Sequence, residues 1–247
     1  MKTPMKFKDE LIQATLIKRY KRFLADVELS DGTITTAHCA NPGAMLGLKE
    51  PGSKVWLSPA NNPKRKLQFS WELIELPAGK TTCCIGINTS HPNKLVEEAI
   101  LNGTITELDG YKTLKREVKY GTNSRIDLLL SNENKDGSAK DICYVEVKNV
   151  HLLRQNTLAE FPDSVTARGT KHLGELAETV KQGHRAVMVY AIQRPDVAAF
   201  SLAEDIDPVY AAAFRTAKAA GVEAIAYSCK LTPKEITIDK SIPIIFE

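Results

Sequence analysis

Two alternating segments joined by a polar turn constrain the fold of this chain more than any other part of its sequence. The segment 125–130 reads Arg-Ile-Asp-Leu-Leu-Leu, and the segment 144–148 reads Tyr-Val-Glu-Val-Lys. Both have apolar side chains at alternate positions, which is typical of β-strands with one buried face. Between them, Asp136-Gly137 is a strong signal for a hairpin turn. A hairpin folded symmetrically about that dipeptide pairs Asp127 with Glu146.

This pairing places two carboxylates opposite each other and puts Lys148 on the same strand face as Glu146. Facing carboxylates repel each other unless a cation lies between them, and carboxylate oxygens are ligands that Mg²⁺ prefers. The spacing therefore predicts a divalent-metal site with a lysine beside it. The alternative is an exposed hairpin whose Glu and Lys face solvent. A register shift of one residue would also separate Asp127 from Glu146.

The composition indicates a soluble globular protein. Of its 247 residues, 43% are hydrophobic and 26% are charged. No apolar run approaches the roughly 20 residues needed to cross a bilayer, and the first residues lack the apolar core of a signal peptide. The five cysteines include no C-x-x-C spacing. We therefore expect a cytoplasmic protein with free thiols, no membrane partner and no cysteine-based chemistry.

Positive charge is concentrated in the first third of the chain. Residues 1–80 contain 13 Lys and Arg against 8 Asp and Glu, a net charge of +5. Residues 81–247 contain 20 Lys and Arg against 22 Asp and Glu, a net charge of −2. Lys and Arg along a groove favour binding to nucleic-acid phosphates. The basic residues expected to make such contacts are Lys18, Arg19, Lys21 and Arg22. The alternative is a solvated face that keeps the protein soluble.

The pattern of secondary structure changes near Pro77-Ala78-Gly79. About five short strands with turn residues between them favour a small barrel of the OB type in residues 1–80. In residues 81–247, the predicted order of helix, three strands, helix, strand, helix and strand indicates a mixed α/β sheet flanked by helices. The three helices are predicted at 93–102, 167–182 and 208–220.

Two of these helices carry charged residues that can reach the predicted metal site. Glu97 and Glu98 lie on the first helix, and the pattern does not distinguish which of them faces the metal; exposure of both to solvent is the alternative. On the second helix, Lys171 and His172 follow Arg168 by three and four residues, so all three can share one face. The apolar residues of this helix are expected to follow a different stripe, which favours a functional role for that face. That face can clamp a phosphate, with Arg as a two-pronged donor and Lys as a point charge. A solvated surface is again the alternative.

Several segments resemble the sugar fermentation stimulation protein A (SfsA) family. The main ones are G-T-N-S-R-I-D at 121–127, Y-V-E-V-K-N-V at 144–150 and F-P-D-S-V-T-A-R-G-T-K-H-L at 161–173. Shorter matches lie at 16–27, 93–98, 192–197 and 207–210, so the resemblance spans nearly the whole chain. It implies an N-terminal OB fold followed by a PD-(D/E)XK nuclease-like domain, with non-specific binding of DNA.

The resemblance also implies roles for individual residues. In the PD-(D/E)XK superfamily, the matching positions hold the metal ligands and the catalytic lysine, here Asp127, Glu146 and Lys148. The carbonyl of the residue matching Val147 often adds a ligand, and Glu98 or Glu97 matches an acidic residue of the first helix.

One segment departs from the family pattern. The family has H-C-P-N-T-G-x-M where this chain reads H-C-A-N-P-G-A-M at 38–45. Pro42 removes a backbone donor and a hydroxyl that Thr would offer. A phosphate contact by this loop is therefore in doubt, and the alternative is a simple turn between barrel strands.

The sequence thus predicts a DNA-binding protein whose second domain hydrolyses phosphodiester bonds with Mg²⁺ or Mn²⁺ as cofactor. One alternative is a DNA-binding regulator of sugar (maltose) metabolism genes that does not cut, although no segment resembles a helix-turn-helix reader. Another is a metal-binding structural protein, which the basic first domain disfavours. The sequence leaves open endonuclease or exonuclease action, the strandedness of the substrate, and whether the chain forms a homo-oligomer.

Overall fold

The computed structural model describes residues 5–134, 136 and 138–245, so Gly137 of the predicted turn lies outside the described residues. A short strand, β1 (Met5–Lys6), comes first and joins the sheet of the second domain. Within the described part of the chain, no helix is long and apolar enough to span a membrane.

A closed barrel forms the N-terminal part of the molecule. Its sheet has the order β4-β3-β2-β5-β6-β7, and its strands are β2 (Ile12–Tyr20), β3 (Leu24–Leu29), β4 (Ile34–Cys39), β5 (Lys54–Pro59), β6 (Phe69–Ala78) and β7 (Thr81–Gly86). A parallel pairing of β4 with β6 closes β2 to β6 into five strands, which leaves no open edge among them. Alternate residues such as Ala25 and Val27 fill the interior around the fully buried Trp71. The predicted OB-like barrel is confirmed.

The predicted boundary at residue 80 falls in the turn between β6 and β7. These strands pair from Leu73↔Gly86 to Ala78↔Thr81, and Gly79 provides the positive φ of +63° at the turn. β7 therefore extends the barrel sheet beyond residue 80. The division into domains at 1–80 and 81–247 stays a prediction.

The second domain is a mixed α/β structure, as predicted. Its strands are β8 (Thr113–Tyr120), β9 (Ser124–Glu133), β10 (Ala139–Val150), β11 (Leu152–Gln155), β12 (Leu158–Phe161), β13 (Arg185–Ile192), β14 (Ala199–Leu202), β15 (Glu223–Leu231) and β16 (Glu235–Ser241). The helices are α1 (Pro92–Leu101), α2 (Ala167–Lys181) and α3 (Pro208–Ala219), with a 3₁₀ turn at Thr106–Leu108. The main sheet has the order β1-β16-β15-β13-β10-β9-β8, and β11-β12-β14 form a smaller sheet.

Helices cover both faces of the main sheet. The strand β13 is apolar along its length because Val187 and Val189 pack with α1 on one face, whereas Met188 and Tyr190 pack with α2 and α3 on the other. A strand buried on both faces reads as a continuous apolar run. The parallel strands β10 and β13 lie at the centre of this sheet, so β10 presents its side chains to helices on either side.

The register of the β9–β10 hairpin changes along its length. Lys140 pairs with Asn132 next to the turn, whereas Cys143 pairs with Leu130 farther along, so the register shifts by one residue between them. Asp141 lies in this bulge and has a φ of +48°. The expectation of a hairpin symmetric about the turn dipeptide is therefore wrong beside the turn. Beyond the bulge, the pairing nevertheless follows the predicted register.

Candidate metal and phosphate site

Asp127 lies where the β9–β10 ladder ends. The last backbone pair joins Val145 to Leu128. In the next position, Asp127 Oδ2 accepts a hydrogen bond from the backbone N–H of Val147 at 2.8 Å. Its Oδ1 accepts from Asn93 Nδ2, in the first turn of α1, at 2.7 Å. A side chain thus satisfies a backbone donor of β10, and α1 and β10 together fix the orientation of the carboxylate.

Glu146 is a deeply buried carboxylate with one free oxygen. Its side chain is 3% exposed, and Oε1 accepts a hydrogen bond from Lys148 Nζ at 2.7 Å. The same oxygen accepts from His172 Nδ1. Oε2 is buried and has no hydrogen-bond partner among the described residues. Because an unpaired buried carboxylate oxygen is costly, this atom is the first candidate for a cation ligand.

The two carboxylates titrate differently because their surroundings differ. Burial raises the pKa of Asp127 to about 6, and the nearby charge of Glu146 adds to this effect. Burial also acts to raise the pKa of Glu146, but the hydrogen bonds and charges of His172 and Lys148 outweigh it and hold that pKa below its ordinary value. Above about pH 6 both groups are ionised, and their repulsion favours a cation beside them.

In the metal-free protein, Asp127 should make folding less favourable as the pH rises. The folded chain binds the Asp127 proton more tightly than the unfolded chain, so the associated stability is complete below the ordinary pKa and is lost as the pH rises through about 6. We expect the free energy of unfolding to fall by roughly 2 to 3 kcal/mol between pH 4 and 7 from this group. Urea denaturation in EDTA measures it, with Asp127→Asn as the reference. Equal pH dependence in both proteins would contradict the assignment.

α2 brings His172 against Glu146. The hydroxyl of Thr166 caps the helix by accepting from Gly169 N–H at 3.1 Å. Arg168 Nε donates to His172 Nε2 at 3.4 Å. His172 Nδ1 is hydrogen-bonded to the carboxylate of Glu146, and Lys148 Nζ lies 3.4 Å from the same ring nitrogen.

The three residues predicted to clamp a phosphate on α2 differ in burial and in partners. His172 lies on the buried stripe with Leu173, so the expectation that the apolar residues follow a different stripe is wrong. Lys171 Nζ donates to the carbonyl of Thr122 at 2.8 Å and ties α2 to the β8–β9 turn. Arg168 is exposed. Contact of any of the three with nucleic acid stays a prediction.

The two acids of α1 form ion pairs outside the cluster of Asp127, Glu146, Lys148 and His172. Glu97 lies 3.6 Å from Arg116 Nη1, and Glu98 lies 3.7 Å from Lys94 Nζ. α1 contacts the site through Asn93 instead, a residue that the sequence did not single out. Among the residues that the structure describes, no three His, Cys, Asp or Glu side chains converge as a metal site. A cation would therefore take two carboxylates with carbonyl and water oxygens, which is common for Mg²⁺.

Two of the four basic residues predicted to bind nucleic acid have partners within the barrel. Arg19 Nη2 donates to the carbonyls of Asn41 and Gly43 at 2.8 and 3.0 Å. Lys18 forms an ion pair with Asp26 at 3.5 Å. The other two residues occupy the turn between β2 and β3. The segment 38–45 is therefore held to β2 by Arg19.

That segment also joins the barrel to the second domain. Asp163 Oδ2 accepts from the backbone N–H of Met45 at 3.0 Å and lies 3.3 Å from His151 Nε2. A Cβ on Gly43 would overlap the Asp163 carboxylate, so glycine permits this close approach. The segment containing Pro42 is thus an interdomain contact, which no local pattern in the sequence indicated.

A second buried acid connects the barrel to α1. Glu72 of β6 accepts hydrogen bonds from Asn88 Nδ2 at 2.9 Å and from His91 Nε2 at 2.7 Å. His91 is the N-cap residue of α1 and precedes Asn93, which orients Asp127. The end of α1 that contacts the site therefore rests on the barrel.

Two family models match the chain in succession. The model described as the SfsA N-terminal OB domain matches residues 17–86, and the model described as the sugar fermentation stimulation protein RE domain matches residues 90–235. The chain belongs to the SfsA family. The resemblance recognised from the sequence motifs is therefore confirmed.

Other SfsA proteins are similar along their whole length. A sugar fermentation stimulation protein homolog from Rhodospirillum centenum is 58% identical, and the match covers 96% of this chain and 98% of that protein. The homolog from Paramagnetospirillum magneticum is 57% identical over 95% of both chains. The solved structure of Pyrococcus furiosus SfsA in complex with Ca²⁺ has a TM-score of 0.84 and 26% sequence identity, and the match covers 100% of both chains. The arrangement of both domains is thus shared with that SfsA structure.

Proposed function

We propose that this SfsA protein is a divalent-metal-dependent phosphodiesterase that binds and cuts DNA without strong sequence specificity. The observation that carries the proposal is the free, buried Oε2 of Glu146. It belongs to a carboxylate that also holds Lys148 and lies beside Asp127. The Ca²⁺ complex of the similar Pyrococcus furiosus protein supports a divalent-cation site, and we assign Mg²⁺ or Mn²⁺ to it here.

The residues of the cluster fit such a cation. Asp127 and Glu146 would hold it through hard oxygen donors, and the carbonyl of Val147 is the candidate backbone ligand. When bound, a divalent cation offsets the charge of a phosphodiester and makes a coordinated water more acidic. The free oxygen of Glu146 would gain a partner, and the repulsion between the two carboxylates would be relieved.

Lys148 supplies the positive charge nearest to Glu146. Its side chain is 13% exposed and its Nζ lies 2.7 Å from Glu146 Oε1, which uses one of three ammonium N–H groups. A remaining N–H can donate to a phosphate oxygen and stabilise the charge that develops there. His172 donates to the same carboxylate oxygen and holds it in place, while Asn93 holds Asp127.

A cleavage assay tests the function. Labelled single- and double-stranded DNA is incubated with the purified protein in Mg²⁺, Mn²⁺ or EDTA, beside a Glu146→Ala variant. We expect cleavage by the wild-type protein with either metal, none in EDTA, and none by the variant. If the wild-type protein shifts DNA on a gel but leaves every substrate intact, the phosphodiesterase proposal fails. A non-cutting DNA-binding regulator would then be the better description.

A further inference from the structure

The turn between β2 and β3 presents an aromatic ring and two cations to solvent. It contains Lys21, Arg22 and Phe23, between the paired residues Tyr20 and Leu24. Phe23 is 43% exposed. We propose that this turn binds an unpaired nucleotide, with Phe23 stacked on the base and the two cations on the flanking phosphates. The proposal rests on the proposed nucleic-acid function and adds that the barrel prefers single strands.

The backbone of this turn is unfavourable for the residues that it carries. Lys21 and Arg22 have φ values of +46° and +65°. Side chains with a Cβ are disfavoured in this left-handed region, and hairpin turns that use it usually contain Asn, Asp or Gly. The chain keeps two long cationic side chains where smaller residues fold more easily. Such a conflict between local preference and sequence is characteristic of a functional position.

Both cations are available to a ligand. Within the described parts of the chain, neither Lys21 nor Arg22 has a hydrogen-bond or ion-pair partner for its side chain. The acid of the adjoining strand, Asp26, is already engaged by Lys18 at 3.5 Å and by the hydroxyl of Tyr20 at 3.0 Å. The positive charge at the turn is therefore free to attract phosphates.

The ring of Phe23 is fixed on the barrel surface. Its backbone carbonyl accepts from Cys39 N–H at 2.9 Å, and its ring lies nearly parallel to that of His38, with centroids 6.5 Å apart. Trp71, by contrast, is fully buried in the core. An exposed ring that is already positioned loses little freedom when a base stacks on it. Stacking of this kind tolerates every base and needs the base to be unpaired.

The turn lies near the contact between the two domains. Arg19, next to the turn, binds the carbonyl of Gly43, and the same segment contacts Asp163, shortly before α2. The exposed Arg168 is in the first turn of α2, and His172 follows it one turn later. Arg19 and the segment 38–45 thus connect the base of the turn to the second domain.

The experiment compares two labelled strands of about 12 nucleotides, one of oligo-dT and one with abasic sugars, which present phosphates without bases. Fluorescence anisotropy in EDTA measures binding without cleavage. We expect the wild-type protein to bind oligo-dT about tenfold more tightly than the abasic strand. Phe23→Ala should remove this preference, whereas Phe23→Tyr should keep it. Ile34→Ala, which alters another exposed apolar residue of the barrel, should behave like the wild-type protein.

A second variant separates the charges from the ring. The double substitution Lys21→Asn and Arg22→Gly suits the left-handed turn, so the thermal unfolding midpoint should not fall. It should weaken binding of both strands by about tenfold while the preference for bases remains. Equal binding of the two strands by the wild-type protein, or a preference that survives Phe23→Ala, overturns the proposal. Neither outcome bears on cleavage, which is measured separately with metal and DNA duplexes.

Discussion

A Lys148→Met variant should cleave DNA about 10² to 10³ times more slowly than the wild-type protein. Met keeps most of the length of the side chain and removes its charge. Lys148 Nζ lies 2.7 Å from Glu146 Oε1, so it is placed beside a candidate cation ligand rather than at the rim of the site. Because we assign it to charge that develops during the reaction, the loss should appear in kcat and leave KM nearly unchanged.

Steady-state cleavage with Mg²⁺ over a range of DNA concentrations measures this effect. Lys230→Met is the matched control, because Lys230 pairs with Asp239 at the surface and its side chain is 72% exposed. The control should cleave at the wild-type rate. A Lys148→Met protein with a raised KM and an unchanged kcat would make Lys148 a binding residue. An unchanged rate would remove it from the site altogether.

Ca²⁺ should raise the thermal unfolding midpoint of the protein. A ligand that binds only the folded state at 100 times its Kd contributes about 2.7 kcal/mol of stability. For a chain of this size that corresponds to a shift of roughly 5 to 10 °C. Asp127→Asn and Glu146→Gln should each abolish most of the shift, because each removes one of the two carboxylates that we assign to the cation. Calorimetry in Ca²⁺ and in EDTA gives the comparison without any cleavage.

The same measurement decides between the two acids of α1. If Glu97→Gln reduces the Ca²⁺ shift and Glu98→Gln does not, Glu97 reaches the cation, and the reverse result assigns Glu98. If both variants keep the full shift, the site has two carboxylates only. A wild-type protein whose midpoint does not respond to Ca²⁺, Mg²⁺ or Mn²⁺ would contradict the metal site itself.

The helices of this protein were predictable because their ends carry local signals. α1 and α3 each have Pro at or near their first position, and α2 ends just before Gly183, which has a φ of +86°. The observed bounds, Pro92–Leu101, Ala167–Lys181 and Pro208–Ala219, lie within one residue of the predicted ones. Such signals depend on neighbours along the chain alone.

Features that depend on distant contacts were not predictable. The strands β11, β12 and β14 have four residues each and form because they pair with one another. The contact of Asp127 with Asn93 joins residues 34 positions apart, and that of Met45 with Asp163 joins residues 118 apart. The pairing of Asp127 with Glu146 was predicted correctly because two deviations cancel. The pairing beside the turn is offset by one residue from the symmetric hairpin, and the bulge in β10 removes that offset.

The hydrogen bonds of Glu72 and Asp163 make the barrel part of the framework that shapes the candidate site around Asp127 and Glu146. Glu72 of the barrel holds the first turn of α1 through His91. Asp163, which lies just before α2, accepts a hydrogen bond from the backbone N–H of Met45 in the barrel. Removing the barrel would take away Glu72 and Met45, leave His91 and Asp163 without these partners, and loosen the two helices that orient Asp127 and Glu146. The barrel therefore cannot be exchanged for a different module by a simple fusion, because any replacement must also rebuild these two supports.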